Sequence, residues 1–84
     1  MLASITVRYF AAAAAAAGLH EETVQLPAGA SFEDLSRHLA AKGTELERVL
    51  ARCSFLHDGM AVRDRSTQPE SGSVVDVLPP FAGG

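Results

Sequence analysis

The sequence predicts an α+β domain in which one layer of sheet packs against one layer of helix. Three observations carry the prediction. Segments of alternating polarity open and close the chain, one amphipathic segment with both helix start and stop signals lies in the middle, and no internal repeat or linker separates a second unit. With 84 residues there is room for a single small core.

Each element has its own signal. In "SITVRYF", Ile5, Val7 and Tyr9 share one face and Thr6, Arg8 and Phe10 the other, a half-buried strand expected over Ala3 to Phe10. Ala11 to Ala17 repeat the best helix former, and Gly18 stands where a left-handed C-terminal cap belongs. "EETVQLP" alternates again and stops at Pro27. Ser31 is a helix N-cap with Asp34 as its capping-box acid. Phe32, Leu35 and Leu39 follow at helical spacing, and Gly43 is expected just past the end. Leu46, Val49 and Leu50 predict a further short helix. "RCSFLHDGMAV" reads as two short strands about an Asp58-Gly59 hairpin turn. "DRSTQPESG" is a polar loop, and "SVVDVLP" the last strand, ended by Pro79. The expected core is Ile5, Val7, Tyr9, Val24, Leu26, Leu35, Leu39, Leu50, Val75 and Val77.

Composition narrows the function. Seven basic against ten acidic side chains give a net charge of -3 without a basic cluster, which argues against nucleic acid as a partner. Cys53 is the only cysteine, so neither an intrachain disulfide nor a cysteine-based zinc cluster can form, and a cytoplasmic location is expected. "FAAAAAAAG" has the small residues of a signal-peptide cleavage region but lies beyond a strand-like pattern with Arg8 inside it, so it is read as helix. Nothing approaches the ~20 apolar residues of a membrane span.

The body offers no catalytic constellation. His20, His38 and His57 lack metal-ligand spacing, and His38 falls on the exposed side of the long helix. Glu21/Glu22 and Glu33/Asp34 are adjacent rather than facing pairs. Cys53 reads as a buried small hydrophobe. His57 simply precedes the turn, and both arginines of "RDR" are expected on a solvated loop. No bound metal or cofactor is expected.

The ending "VLPPFAGG" is different. Pro79 and Pro80 have fixed φ and no N–H, so the chain after the last strand is expected to be extended and barred from a ladder. The segment 79–84 reaches up to ~20 Å beyond a body spanning 1–78. Gly83 and Gly84 carry no side chain, so a terminal carboxylate could pass along a channel too narrow for other residues. Such a carboxylate is ionised and inert at neutral pH, and would need activation by an external enzyme with ATP. The tail reads as a substrate or cargo arm, which accounts for a body without catalytic groups.

The chain resembles the sulfur-carrier family of ubiquitin-like β-grasp proteins, within it most closely the MoaD branch, the small subunits of molybdopterin synthase. The resemblance rests on "ITVRYFA", the Ala-rich helix before Gly18, "VQLPAGASFEDLSRHL", "LHDGMAV" and "VVDVLPPFAGG", and so spans essentially the whole chain. It implies a mixed five-stranded sheet packed on one main helix plus short helices. It also implies that Gly84 is adenylated by a MoeB-like E1 adenylyltransferase, converted to a thiocarboxylate, and inserted into a MoaE-like large subunit. There sulfur would pass to cyclic pyranopterin monophosphate in molybdenum cofactor biosynthesis, the small subunit not being catalytic alone. Two departures from the family pattern are the pure-alanine first helix and "HDG" where many relatives carry Asn at or beside position 58.

Carriers for thiamine thiazole synthesis share the Gly-Gly end but usually join the first two strands by a tight turn, which favours molybdopterin synthesis here. A cysteine-biosynthesis carrier, a ubiquitin-like protein modifier and a plain interaction module with an inert tail remain open. If Ile5, Val7, Tyr9, Val75 and Val77 face the helix, then Thr6, Arg8, Phe10, Asp76 and Leu78 face away. Phe10, Leu78 and Phe81, with Met60 more weakly, are the expected partner-binding residues, together with Pro79, Pro80 and Ala82 of the tail.

Overall fold

A computed structural model describes residues 1–80 of the chain. The elements are β1 (Leu2–Tyr9), α1 (Ala11–Ala17), β2 (Glu21–Pro27), α2 (Phe32–Ala40), α3 (Thr44–Leu50), β3 (Ser54–His57), β4 (Met60–Ala61) and β5 (Val74–Leu78). The strands form one five-stranded sheet in the order β2-β1-β5-β3-β4. β1 and β5 are parallel, and the β1–β2, β3–β5 and β3–β4 pairs are antiparallel. This is the mixed sheet with helices of the β-grasp fold. No described helix is long and apolar enough to cross a membrane.

Every residue expected in the core is buried. Ile5, Val7, Val75 and Val77 from the two central strands meet Leu35 and Leu39 of α2 and Leu50 of α3, and Phe32, Leu46, Phe55, Ala13 and Ala14 complete the cluster. Burial of one side chain of this size stabilises by roughly 1.5–3 kcal/mol, which makes this cluster the main source of stability. The capping box of α2 forms as expected: the Asp34 amide donates to Ser31 Oγ at 3.1 Å, and the Ser31 amide donates to Asp34 Oδ2 at 2.9 Å. Gly18 closes α1 at φ 78. Asp58 and Gly59, at φ 48 and 88, make a hairpin turn with both central residues left-handed, which is why Asp-Gly occurs there.

Several expectations are corrected. β1 runs from Leu2 to Tyr9, and Phe10, still extended, becomes the N-cap of α1. Gly43 is not a C-terminal cap of α2; it is the N-cap of α3 at an ordinary extended φ of 167, and α2 ends through tight turns from Lys42 to Leu39 and Gly43 to Ala40. Arg63 is exposed on the loop as expected, but Arg65 is half-buried. It donates to the Cys53 carbonyl at 2.7 Å and its guanidinium lies 4.5 Å from the Phe55 ring centroid. The loop carrying it is structural as well: the carbonyls of Thr67 and Arg65 accept from Phe32 and Glu33, two N–H groups in the first turn of α2.

Candidate functional site

The site is built by the pairing of β1 with β5. Because the two strands are parallel, with Tyr9 opposite Val77, both end at the same end of the sheet. The Phe10 amide donates to the Val77 carbonyl at 3.3 Å, and Leu78 pairs with Ser54 of β3. Pro79, half-buried, and Pro80, exposed, continue from Leu78. Phe81, Ala82, Gly83 and Gly84 lie outside the described residues, as does most of the expected segment 79–84.

The sheet face away from the helices carries Thr6, Arg8, Val74, Asp76 and Leu56 by register, with Leu78 and Phe10 at the end from which the chain leaves. Phe10 is 40% exposed and Leu78 half-buried. The structure brings these two to the same end, as expected. Met60 is exposed too, but it pairs with His57, whose other neighbour is Val75. That row belongs to the helix-facing side, and β4 is the far edge of the sheet, so Met60 shares neither face nor edge with Phe10.

Sequence reasoning missed the centre of the outer face. Arg8 Nε and Nη2 donate to the two carboxylate oxygens of Asp76 at 2.6 and 2.9 Å, a two-pronged ion pair that leaves Asp76 only 7% exposed. Hydrogen bonding and attraction to Asp76 raise the Arg8 pKa. The Arg8 guanidinium also stands 5.9 Å from the Phe10 ring centroid. Asp76 faces away from the helices, as expected, but the arginine covers it. The signal in the sequence was opposite charge at positions of outward parity, but only the β1–β5 register makes them neighbours.

The remaining reactive groups are engaged in structure. Cys53 is buried, its thiol donates to the Val49 carbonyl at 3.2 Å, and burial pushes its pKa up against a smaller lowering influence of Arg65. His57 Nε2 lies 2.9 Å from Ser73 Oγ and its ring meets Phe32 edge-on at 5.3 Å, so His57 does more than precede a turn. Tyr9 donates to Glu22 at 2.6 Å, and burial followed by that bond raises its pKa; Lys42 pairs with the same oxygen at 2.9 Å. His38 is exposed. Among the described residues, no group of three or more His, Cys, Asp or Glu is arranged to hold a metal ion.

A sequence model of the ThiS family matches residues 7–84. The chain is 35% identical over 81 residues to a protein of Chlamydomonas reinhardtii named molybdopterin synthase sulfur carrier subunit, covering 95% of this chain and 98% of that one. Its structure is similar to that of a Pyrococcus furiosus protein assigned as subunit 1 of a molybdopterin converting factor, with a TM-score of 0.85 at 26% identity over 94% and 99% of the two chains. It is also similar to SAMP1 of Haloferax volcanii, with a TM-score of 0.83 at 25% identity over 96% and 99%.

Proposed function

Because the chain belongs to the ThiS family, we propose that it is a sulfur carrier, the small subunit of a molybdopterin synthase, with Gly84 bearing the reactive terminal carboxylate. The observation that carries this reading is the shared end of β1 and β5. It places Pro79-Pro80, which the sequence continues as Phe-Ala-Gly-Gly, at one end of a body whose thiol, Cys53, is buried with its pKa pushed up by that burial. The name of the Chlamydomonas relative supports the pathway, and the helix between β1 and β2 supports it over a thiazole carrier.

The chemistry proceeds in three steps. A carboxylate with a pKa of ~3.5 is ionised at neutral pH and a poor acyl donor. Transfer of AMP from ATP to one carboxylate oxygen, with loss of pyrophosphate, makes an acyl adenylate. Sulfur at the sulfide level, delivered as HS⁻ or its equivalent, then attacks the carbonyl, the C–S bond forming as the C–O bond to AMP breaks, and loss of the S–H proton leaves a thiocarboxylate. In the large subunit the thiocarboxylate gives up that sulfur to cyclic pyranopterin monophosphate and water restores the carboxylate. The body's part is to fold, to present the tail and to dock; ATP is bound by the MoeB-like activating enzyme.

Intact mass spectrometry tests the reading. With an E1-like adenylyltransferase, ATP and a sulfur source, the chain should gain one sulfur in place of one oxygen. Deleting Gly84, or adding one residue after it, should abolish the gain while leaving the fold unchanged. An isopeptide-linked ladder on other proteins would instead establish a modifier, and full sulfur transfer by either altered chain would remove Gly84 from the chemistry.

A further inference from the structure

Beside the exit of the chain lies an open hollow of about 580 Å³ that the sulfur chemistry leaves unassigned. Pro79 and Pro80 form one wall, Ala12 and Val49 contribute apolar surface, and Arg48 and Arg52 supply the polar groups. The two arginines are four residues apart, one turn of helix, with Arg48 in the last turn of α3 and Arg52 just beyond it.

The disposition of the other basic residues singles these out. Of the seven, Arg8 pairs with Asp76, Arg37 with Asp34 and Lys42 with Glu22, while Arg65 is held by the Cys53 carbonyl and the Phe55 ring. Among the described residues Arg48, Arg52 and Arg63 have no ion-pair or hydrogen-bond partner through their side chains, and two of those three line one hollow. The dipole of α3 favours a cation at its C-terminal end. It does not require two of them, and a helix of seven residues has a weak one. On a chain of net charge -3, an unpaired doublet of arginines against an apolar wall is a local reversal of sign.

We propose that this hollow is a docking point for an acidic surface segment, carrying at least two carboxylates, of the large subunit that receives the tail. The proposal rests on the sulfur-carrier reading. Its position is the argument for this occupant. Pro79 and Pro80 themselves form one wall of the hollow, so a protein that engages the chain beyond Pro80 works next to its rim. Carboxylates there would pair with guanidinium groups, orient the body and speed encounter, the usual contribution of charges at an interface rim.

The test is titration calorimetry and stopped-flow binding of the intact chain to the synthase large subunit of the same organism, at low and at moderate salt. Arg48→Gln with Arg52→Gln is the variant, and Arg63→Gln, which removes an unpaired arginine that does not line the hollow, is the control. The doubly substituted chain should bind about tenfold more weakly at low salt, mostly through slower association, and with a shallower salt dependence. The control should bind as the unaltered chain, and both should keep its melting temperature. Equal affinity and equal salt dependence of the doubly substituted chain would overturn the docking point while leaving the carrier reading intact, and so would an equal loss in the control. Failure of the unaltered chain to bind the large subunit at all would overturn the carrier reading and this proposal together.

Discussion

Arg8 and Asp76 are 68 residues apart in the chain and form the only two-pronged side-chain ion pair among the described residues. Their exposures differ: the Arg8 side chain is 46% exposed and that of Asp76 10%. Removing one partner is therefore not equivalent to removing the other. Arg8→Ala leaves a carboxylate under the sheet surface with no cation, whereas Asp76→Ala leaves a guanidinium that water can reach. We expect Arg8→Ala to lower the melting temperature more than Asp76→Ala; the reverse order, measured by calorimetry, would show that Asp76 is solvated without Arg8. The same arginine sets the surroundings of Phe10, whose exposed ring and the neighbouring Leu78 are candidates for contact with partners. Phe10→Ala and Leu78→Ala should each weaken binding to the large subunit by ~1–3 kcal/mol. Phe10→Ala should leave the melting temperature nearly unchanged, and half-buried Leu78 should lose some stability as well. Unchanged affinity in both would move the interface elsewhere.

Helix α2 shows how local and distant contacts share one element. Its capping box is local, and Ser31→Ala should cost about 1 kcal/mol. The bonds from the Ser31 amide and hydroxyl hold the Asp34 carboxyl below the usual carboxylate range. A carboxyl with a depressed folded pKa contributes stability that is fully present above its unfolded pKa and is lost as pH falls through the folded value. The stability difference between the unaltered chain and Asp34→Ala should thus be largest near neutral pH and shrink in acid, and a difference that grows as pH falls would contradict the assignment. Part of the first turn depends on distant chain, since Thr67 and Arg65 accept from Phe32 and Glu33. The all-alanine α1 is a different case. Its buried Ala13 and Ala14 are small enough for α1 to lie close on the core, and Ala11 enters it at φ 50, a left-handed conformation that turns the chain sharply out of β1.

On the scale of the whole molecule, the buried core extends from Ile5 to Val77, and both ends of that span lie in the two central strands. The body is closed by pairing its first strand with its last. A chain ended after Pro80 should therefore melt as the full chain does while accepting no sulfur, and a clear loss of stability would mean that residues 81–84 belong to the folded unit. The same closure explains why docking residues and tail occur together: parallel neighbours end at one end of the sheet, so Phe10, Leu78, Pro79 and Pro80 are neighbours although nearly the whole chain separates the first from the others.

By itself the sequence determined the elements and the side of each that is buried. Period-two alternation in β1, β2 and β5, the Ser31–Asp34 box and the Asp58-Gly59 turn are signals within a few residues, and short-range sterics and hydrogen bonding decide them. It also marked the Gly-Gly ending as the part of the chain that differs from an ordinary domain. Only the tertiary structure decided that Arg8 covers Asp76, that Arg65 and the polar loop brace α2 and Cys53, that Met60 lies on the other face and edge from Phe10, and that Arg48 and Arg52 share a hollow with Pro79-Pro80. Each of these depends on the register of strands or the approach of helices distant in sequence. Alternation fixes the face each residue takes, but which residues of strands distant in sequence come opposite one another is settled by the packing of the core.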